Sequence, residues 1–331
     1  MAVILDGRPV FLHTFWRSNG TYFWELFRRN PAFRAYVEPC HEALAWKTLA
    51  DWQSDFDRGM VKALRHPDLK SHYFNEYPIL GNGGVPLHHE RFAFDRFILE
   101  PTDHDPELLI YLRFLIDYAA SHGQIAAMKF CRFGLRTRYI ARNIPAWNVF
   151  LCRPPEEIYA SFVSFGPNSY FTRAPLVILR RNDHPRLKSL ANFIGITPGP
   201  SGTLAEDFSK AGELLKSLPE MKIKLMVAAF WLLYLLENAE VADRIVDTQL
   251  LISDVVYRDE TSSWFAPWLG PDAFKDFAVG PTQQSFTLTS GQQWHSLAHD
   301  LLRDCDRETL SRVLAGVPLG ESCRQLLETI L

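Results

Sequence analysis

The stretch Pro9–Leu44, PVFLHTFWRSNGTYFWELFRRNPAFRAYVEPCHEAL, constrains the fold of this chain more than any other. Val10–Phe15 is a short apolar run rich in β-branched and aromatic residues, the length of a buried strand. Trp16-Arg17-Ser18-Asn19-Gly20-Thr21 is a tight polar turn. Tyr22, Phe23, Leu26 and Phe27 then recur at helical spacing until Asn30-Pro31 stops the helix. A strand, a small-residue turn and a helix in that order make an anion cradle. The N–H groups of the first helical turn lack intrahelical acceptors, and the helix dipole favours negative charge there. Arg17 adds a planar cation suited to phosphate or sulfate oxygens.

The strand–helix alternation continues along the chain. Strands are predicted at Arg34–Val37, closed by Glu38-Pro39, and at Ala126–Cys131, Trp147–Cys152 and Thr248–Ile252. Helical patterns cover His41–Leu64, Pro106–Ser121, Leu135–Asn143, Glu156–Phe165, Leu187–Ile194, Glu206–Leu218, Met221–Ala239 and Trp294–Asp304. This order predicts an α/β fold with a central parallel sheet flanked by helices. With 47% hydrophobic residues the chain can bury a large core, and residues 1–331 read as one domain. The irregular, aromatic stretch 67–101 reads as an acceptor-binding loop or lid. Leu225–Leu236 is strongly apolar but well short of the roughly 20 residues that span a bilayer, so a buried core helix is expected.

Charge and cysteine usage narrow the setting. A net charge of -3 gives no support for nucleic-acid binding. Five cysteines, an odd number without CxxC spacing, fit a reducing compartment. MAVILDGRPV carries too short an apolar run for a signal peptide. The expectation is a cytoplasmic protein with no stable membrane insertion.

What is missing is equally informative. There is no GxxxxGK[ST], and no glycine is followed by lysine, which argues against a nucleoside-triphosphate P-loop. No GxGxxG follows a strand, which argues against a dinucleotide fold. The cradle therefore serves another phosphate or sulfate ligand. A second signal lies in Phe150–Ser161, FLCRPPEEIYAS, which puts Arg153 at the carboxyl end of a strand, where open parallel sheets bind ligands. Arg153 with Ser161 would take a second phosphate of the same ligand.

RSNGT after one strand and RPPEEIYAS after a later one resemble the two cofactor motifs of the sulfotransferases that use 3′-phosphoadenosine 5′-phosphosulfate (PAPS). The family's first motif runs [KR]SGTT with a following aromatic; its second runs R-x-P-x-x-x-x-x-S. The match covers the first half of the chain and fades to general similarity beyond Phe165. It implies a P-loop sulfotransferase fold that moves a sulfonate from PAPS to an acceptor hydroxyl, releases PAP and needs no metal. By that resemblance Arg17 binds the 5′-phosphate and sulfonate oxygens, and Ser18, Asn19, Gly20 and Thr21 supply backbone and hydroxyl donors. Tyr22 takes the place of an aromatic that stacks on adenine, and Arg153 and Ser161 hold the 3′-phosphate. Two positions depart from the motif. Asn19 replaces the usual glycine, and asparagine tolerates left-handed backbone. Gly20 replaces the first threonine and loses a hydroxyl.

Sulfonyl transfer, like phosphoryl transfer, passes through a loose in-line transition state, so the protein chiefly positions reactants, stabilises charge and supplies a base. Glu38 is the first candidate. A glutamate after the second strand is the base in several carbohydrate sulfotransferases, and Glu-Pro-x-x-Glu resembles the bacterial trehalose-type members. His41 competes with it, because the members acting on small phenols use a histidine. The acceptor is a small molecule or saccharide, with carbohydrate preferred. Two rivals remain. Asp55-Phe56-Asp57 and Asp103-His104-Asp105 have the DxD spacing of a metal-dependent nucleotide-sugar glycosyltransferase, and a sulfotransferase-like protein that binds nucleotide without turnover is the other.

The remaining polar clusters read more plainly. His88-His89-Glu90 is not expected to hold a metal, since adjacent histidines in extended chain point apart. Lys129 and Arg132 flank the third strand and either face the cofactor or pair with a carboxylate. Arg136, Arg138 and Arg142 read as a solvated helix face. Arg180, Arg181, Arg186 and Lys188 stand where the family places a basic loop near the 3′-phosphate, without a motif match. Tyr73, Phe74, Tyr77, Phe92 and Phe94 read as core.

Overall fold

A computed structural model describes residues 6–59, 69–199, 202–277 and 292–331. Five strands, β1 (Val10–Thr14), β2 (Phe33–Val37), β3 (Ile125–Phe130), β4 (Trp147–Cys152) and β5 (Arg244–Asp247), form one sheet in the order β2-β3-β1-β4-β5. Each neighbouring pair is parallel; Val10 aligns with Ala127 on one side and Trp147 on the other. The strands are buried almost end to end, which is why they read as continuous apolar runs rather than alternating ones. From β1 the chain runs through helix α1 (Gly20–Arg29) to the β2 edge, whereas from β4 it leads to the β5 edge. The carboxyl ends of β1 and β4 therefore flank a topological switch point, where sheets of this kind open a ligand crevice.

Helices flank the sheet: α2 (Leu49–Asp57), α3 (Pro106–Ser121), α4 (Thr137–Asn143), α5 (Pro155–Val163), α6 (Tyr170–Arg181), α7 (Pro185–Ile194), α8 (Leu204–Leu215) and α9 (Glu220–Ala239). They continue as α10 (Leu250–Ser253), α11 (Val255–Leu269), α12 (Gln292–Leu301), α13 (Asp304–Gly316) and α14 (Glu321–Glu328). Helix α9 is the expected core helix, with Leu225–Asn238 buried on every side. Among the described residues no helix is long and apolar enough to cross a membrane.

The structure corrects three sequence readings. The fifth strand is not Thr248–Ile252 but Arg244–Asp247. The buried Asp247 carboxylate accepts from the N–H groups of Gln249 (2.8 Å) and Leu250 (3.3 Å), turning the chain into α10. The Leu-Leu-Ile run that looked like strand is short enough to be either element. Helices α6 and α11 went unread because Pro175 and Pro267 inside them look like breakers. Arg136 is no solvated cation. It is fully buried and donates to the carbonyls of Arg96 (2.9 Å), Phe92 (2.7 Å) and Asp95 (2.6 Å), while Arg138 pairs with Glu237 at 2.8 Å. A guanidinium can satisfy several buried carbonyls at once, a role that charge patterning does not reveal.

The stretch after β2 follows expectation only in part. His41–Leu64 gives a 3₁₀ turn over Glu42–Ala45 and then α2, while residues 60–64 lie outside the described residues. Residues 67 and 68 of the 67–101 stretch lie outside them too; from 69 onward it is irregular, with a short 3₁₀ turn at Glu90–Phe92. Its aromatics Phe74, Tyr77, Phe92 and Phe94 are core. The Tyr77 hydroxyl donates to the Val37 carbonyl at 2.8 Å, strapping the loop to the end of β2.

Candidate functional site

The turn between β1 and α1 holds two left-handed residues, Arg17 (φ 67°) and Asn19 (φ 62°). Asn19 is thus tolerated where the motif has glycine, because its short polar side chain suits this region better than most. Asn19 precedes α1 without a side-chain cap, so its own side chain does not fill the N–H groups of the first turn. Ser18 beside them is buried, and its hydroxyl oxygen has no hydrogen-bond partner among the described residues. A buried hydroxyl left this way costs free energy unless a ligand oxygen or water meets it.

Gly20 is required for a reason its sequence position does not show. A Cβ there would lie 2.6 Å from Cε of Lys129 and 2.8 Å from Cγ2 of Thr14. The Lys129 side chain, arriving from the end of β3, therefore lies against the first residue of α1, and the cradle is lysine-bearing although its loop is not. Gly20→Ala is expected to push that ammonium away; if the cradle takes the PAPS that the sequence resemblance implies, PAP binding should weaken at least tenfold by calorimetry. Unchanged affinity would place the ligand elsewhere.

The two motifs meet across the switch point. Arg17 Nε donates to Ser161 Oγ at 2.9 Å, and the Arg17 guanidinium lies over the rings of Phe165 (4.7 Å) and Phe171 (5.3 Å). Arg153 Nη1 donates to the Arg17 carbonyl at 2.7 Å, and its Nε to Glu157 at 2.8 Å. Helix α5 thus folds back far enough for Ser161 to reach the cradle. Thr21 is half-buried in the first turn of α1. The Tyr22 ring stands edge-on to Phe277 at 4.7 Å, and its hydroxyl reaches the Ala273 carbonyl at 3.5 Å.

Beside the cradle, Glu38 ends β2 in a left-handed conformation (φ 49°). Both of its carboxylate oxygens are engaged. Oε1 accepts from Lys129 Nζ; Oε2 accepts from Arg132 Nη1 (3.0 Å) and the Cys131 N–H (3.2 Å). Burial alone would raise this carboxyl, but Lys129, Arg132 and the Cys131 N–H outweigh it and hold the group at about 2. Lys129 remains protonated: burial opposes its charge, while the Cys131 sulfur and the Glu38 carboxylate favour it. Lys129 therefore does both things the sequence left open, facing the cradle and pairing with a carboxylate. Arg132 also reaches Glu42 (3.3 Å) and the Tyr170 hydroxyl (2.5 Å). Tyr170 belongs to the site by contact, and no pattern in the sequence marked it.

His41 is committed in a different way. Its Nδ1 accepts from the Ala43 N–H at 3.1 Å, capping the turn over Glu42–Ala45. Burial, and then Arg132, keep the ring neutral, well below the usual histidine range.

The other clusters are absorbed by structural contacts. Asp105 caps α3 through the Leu108 N–H (3.3 Å) and pairs with Arg91 at 2.9 Å; Asp55 pairs with Lys47 and Arg58. Arg180 and Arg181 bind Asp207 at 2.9 and 2.7 Å, and Arg186 binds Asp306. Among the described residues no group of three or more His, Cys, Asp or Glu side chains is placed to hold a metal ion. Compared with protein-family models, curated proteins and solved structures, the chain has no match.

Proposed function

We propose that this protein transfers a sulfonate group from PAPS to an acceptor hydroxyl, on a P-loop sulfotransferase-like fold in the cytoplasm. One observation carries the reading: Arg17 and Ser161, 144 positions apart, are hydrogen-bonded at the switch point, with Arg153 on the Arg17 carbonyl. That contact supports reading the two motifs as parts of one site for a ligand bearing phosphates at both ends. The Ser18 hydroxyl, without a partner among the described residues, and the Lys129 side chain, whose Cε lies at Gly20, fit oxygens of such a ligand. In the DxD pairs Asp55 and Asp105 are held by ion pairs, while Asp57 and Asp103 accept from the Gln53 amide and the Glu100 N–H, so these carboxylates give no support to a nucleotide-sugar reading.

In this reading the acceptor oxygen attacks sulfur and a new S–O bond forms. The S–O bond to the 5′-phosphate breaks, PAP departs with that electron pair, and the acceptor proton passes to a carboxylate. Arg17 and Lys129 neutralise the charge that develops on the departing phosphate. Arg153 and Ser161 hold the 3′-phosphate. Glu38 at about 2 is a poor base while Lys129 holds it. When Lys129 turns to the donor's oxygens, Glu38 loses a cation and its carboxyl rises toward the range in which it accepts a proton. Donor binding thereby prepares the base, and His41, capping its own turn, is the weaker candidate. A saccharide head on the acceptor accords with the Glu-Pro placement.

The test compares PAP, adenosine 5′-phosphosulfate, ADP and a UDP-sugar with manganese by thermal shift and calorimetry. PAP alone is expected to bind tightly, and the UDP-sugar binding in its place would overturn the reading. Arg153→Ala should weaken PAP binding by about tenfold to a hundredfold, given roughly 1.5–3 kcal/mol for a charged hydrogen bond.

A further inference from the structure

His88 is an unusual residue to leave unexplained. It is only 8% exposed, and neither ring nitrogen has a hydrogen-bond partner among the described residues. Its ring is walled by the edges of Phe92 (5.7 Å) and Tyr111 (5.1 Å), and the Tyr111 hydroxyl is already given to the Pro39 carbonyl at 2.7 Å. The titratable groups around it are His41, His89 and Glu42, and of these His41 and Glu42 border the Glu38–Arg132 pair. Burial, with His41 and His89 adding to it, lowers the ring to about 3, so it is a neutral imidazole with one donor and one acceptor unused. Two unmet buried hydrogen-bonding atoms are costly unless a hydroxyl supplies them.

The backbone holds this ring in place at some strain. Leu87, just before it, adopts φ 65°, a conformation that bulky residues avoid and that clusters at ligand sites. The His88 N–H closes a turn onto the Val85 carbonyl (3.1 Å). Val85 and Gly84 donate to the carbonyls of Leu44 (2.8 Å) and Lys47 (3.0 Å), pinning the strap 80–88 to the turn that carries Glu42. Gly83 and Gly84 are packed so closely that a Cβ would strike the Trp46 and Ala45 carbonyl oxygens. These two joined segments expose four large apolar side chains, Trp46, Leu49, Leu80 and Leu87, each 46–50% accessible.

We infer that the 80–88 strap and the 42–49 segment form the acceptor subsite, with His88 meeting an acceptor hydroxyl and the apolar rim taking an aliphatic body. The acceptor class is a hydroxylated head, such as a sugar, carried on an alkyl chain. The pairing of a buried, unsatisfied imidazole with an exposed apolar rim is what selects this class. A free sugar would leave the rim wet, and a plain hydrocarbon would leave the imidazole unmet. The inference rests on the sulfotransferase reading for the meaning of "acceptor", but the site itself is tested without turnover.

The probes are n-octyl β-D-glucoside below its micelle concentration, D-glucose, and octyl glucoside with every hydroxyl methylated. Binding to the full chain is measured by calorimetry with and without PAP. Octyl glucoside is expected to bind at least tenfold tighter than glucose and several-fold tighter than its methylated form. His88→Phe should equalise the two octyl glucosides, whereas Leu87→Ser should weaken both by the same factor. Leu87→Ser also keeps the test alive should His88→Phe not fold, since position 87 is exposed. Glucose binding as well as octyl glucoside, or hydroxyl discrimination surviving in His88→Phe, would overturn the subsite. Failure of PAP to bind would instead strike the sulfotransferase reading, and the glucoside comparisons would still decide the subsite.

Discussion

On the proposed reading, Lys129→Met is expected to lower sulfonyl transfer by about a hundredfold to a thousandfold, the usual effect of removing one preorganised donor to developing charge. Lys129 is the cation that touches both halves of the site, with its Cε against the Gly20 position and its ammonium on Glu38. Its removal leaves the buried Glu38 carboxylate with Arg132 and the Cys131 N–H, so a destabilisation of about 3–5 kcal/mol is expected alongside the loss of activity. The two effects are separable. In Lys129→Met with Glu38→Gln, no isolated half-pair stays buried, so most of the stability should return, by urea denaturation. Turnover, followed with radiolabelled PAPS, should not. A single mutant that is destabilised yet turns over normally would make Lys129 a purely structural partner of Glu38.

How much of this was legible in the sequence follows from what each residue type must do locally. The strand–turn–helix at Val10–Arg29 was legible because an apolar strand, a small-residue turn and an amphipathic helix are dictated by neighbours along the chain. The β4 strand and Arg153 were legible for the same reason. Lys129 was not resolved, because its role comes from the β1–β3 pairing that lays the end of β3 beside α1, a contact between residues 109 positions apart. Arg136 was misread because a basic residue at a helix start looks the same whether it meets water or three buried carbonyls. Tyr170 and Phe171 lie in a helix hidden by its own proline, and they enter the site through Arg132 and Arg17. In each case the missing information was tertiary, since the chain states its local periods plainly and its long-range partners hardly at all.

Glu38→Gln should reveal itself through pH as well as rate. The folded carboxyl lies at about 2, below its ordinary value of 4.5, so its ionised form stabilises the fold. That contribution is fully present above about pH 4.5 and is lost as pH falls through about 2. The shift corresponds to about 3 kcal/mol at neutral pH. Glu38→Gln should therefore be less stable than wild type by about that amount at pH 7, and the gap should narrow steadily below pH 4.5. A gap that is constant with pH would show that the carboxylate charge does not hold Lys129 and Arg132 in the fold. Transfer should fall by about a hundredfold to ten-thousandfold if this carboxylate takes the acceptor proton. Glu38→Asp separates the roles: it keeps the charge that balances Lys129 and Arg132 but draws the carboxylate back by one methylene. Stability largely retained with turnover lost would place Glu38 at the reacting hydroxyl. Turnover retained in Glu38→Gln would leave it as the anchor of Lys129 alone, and the proton would then have to leave by another group.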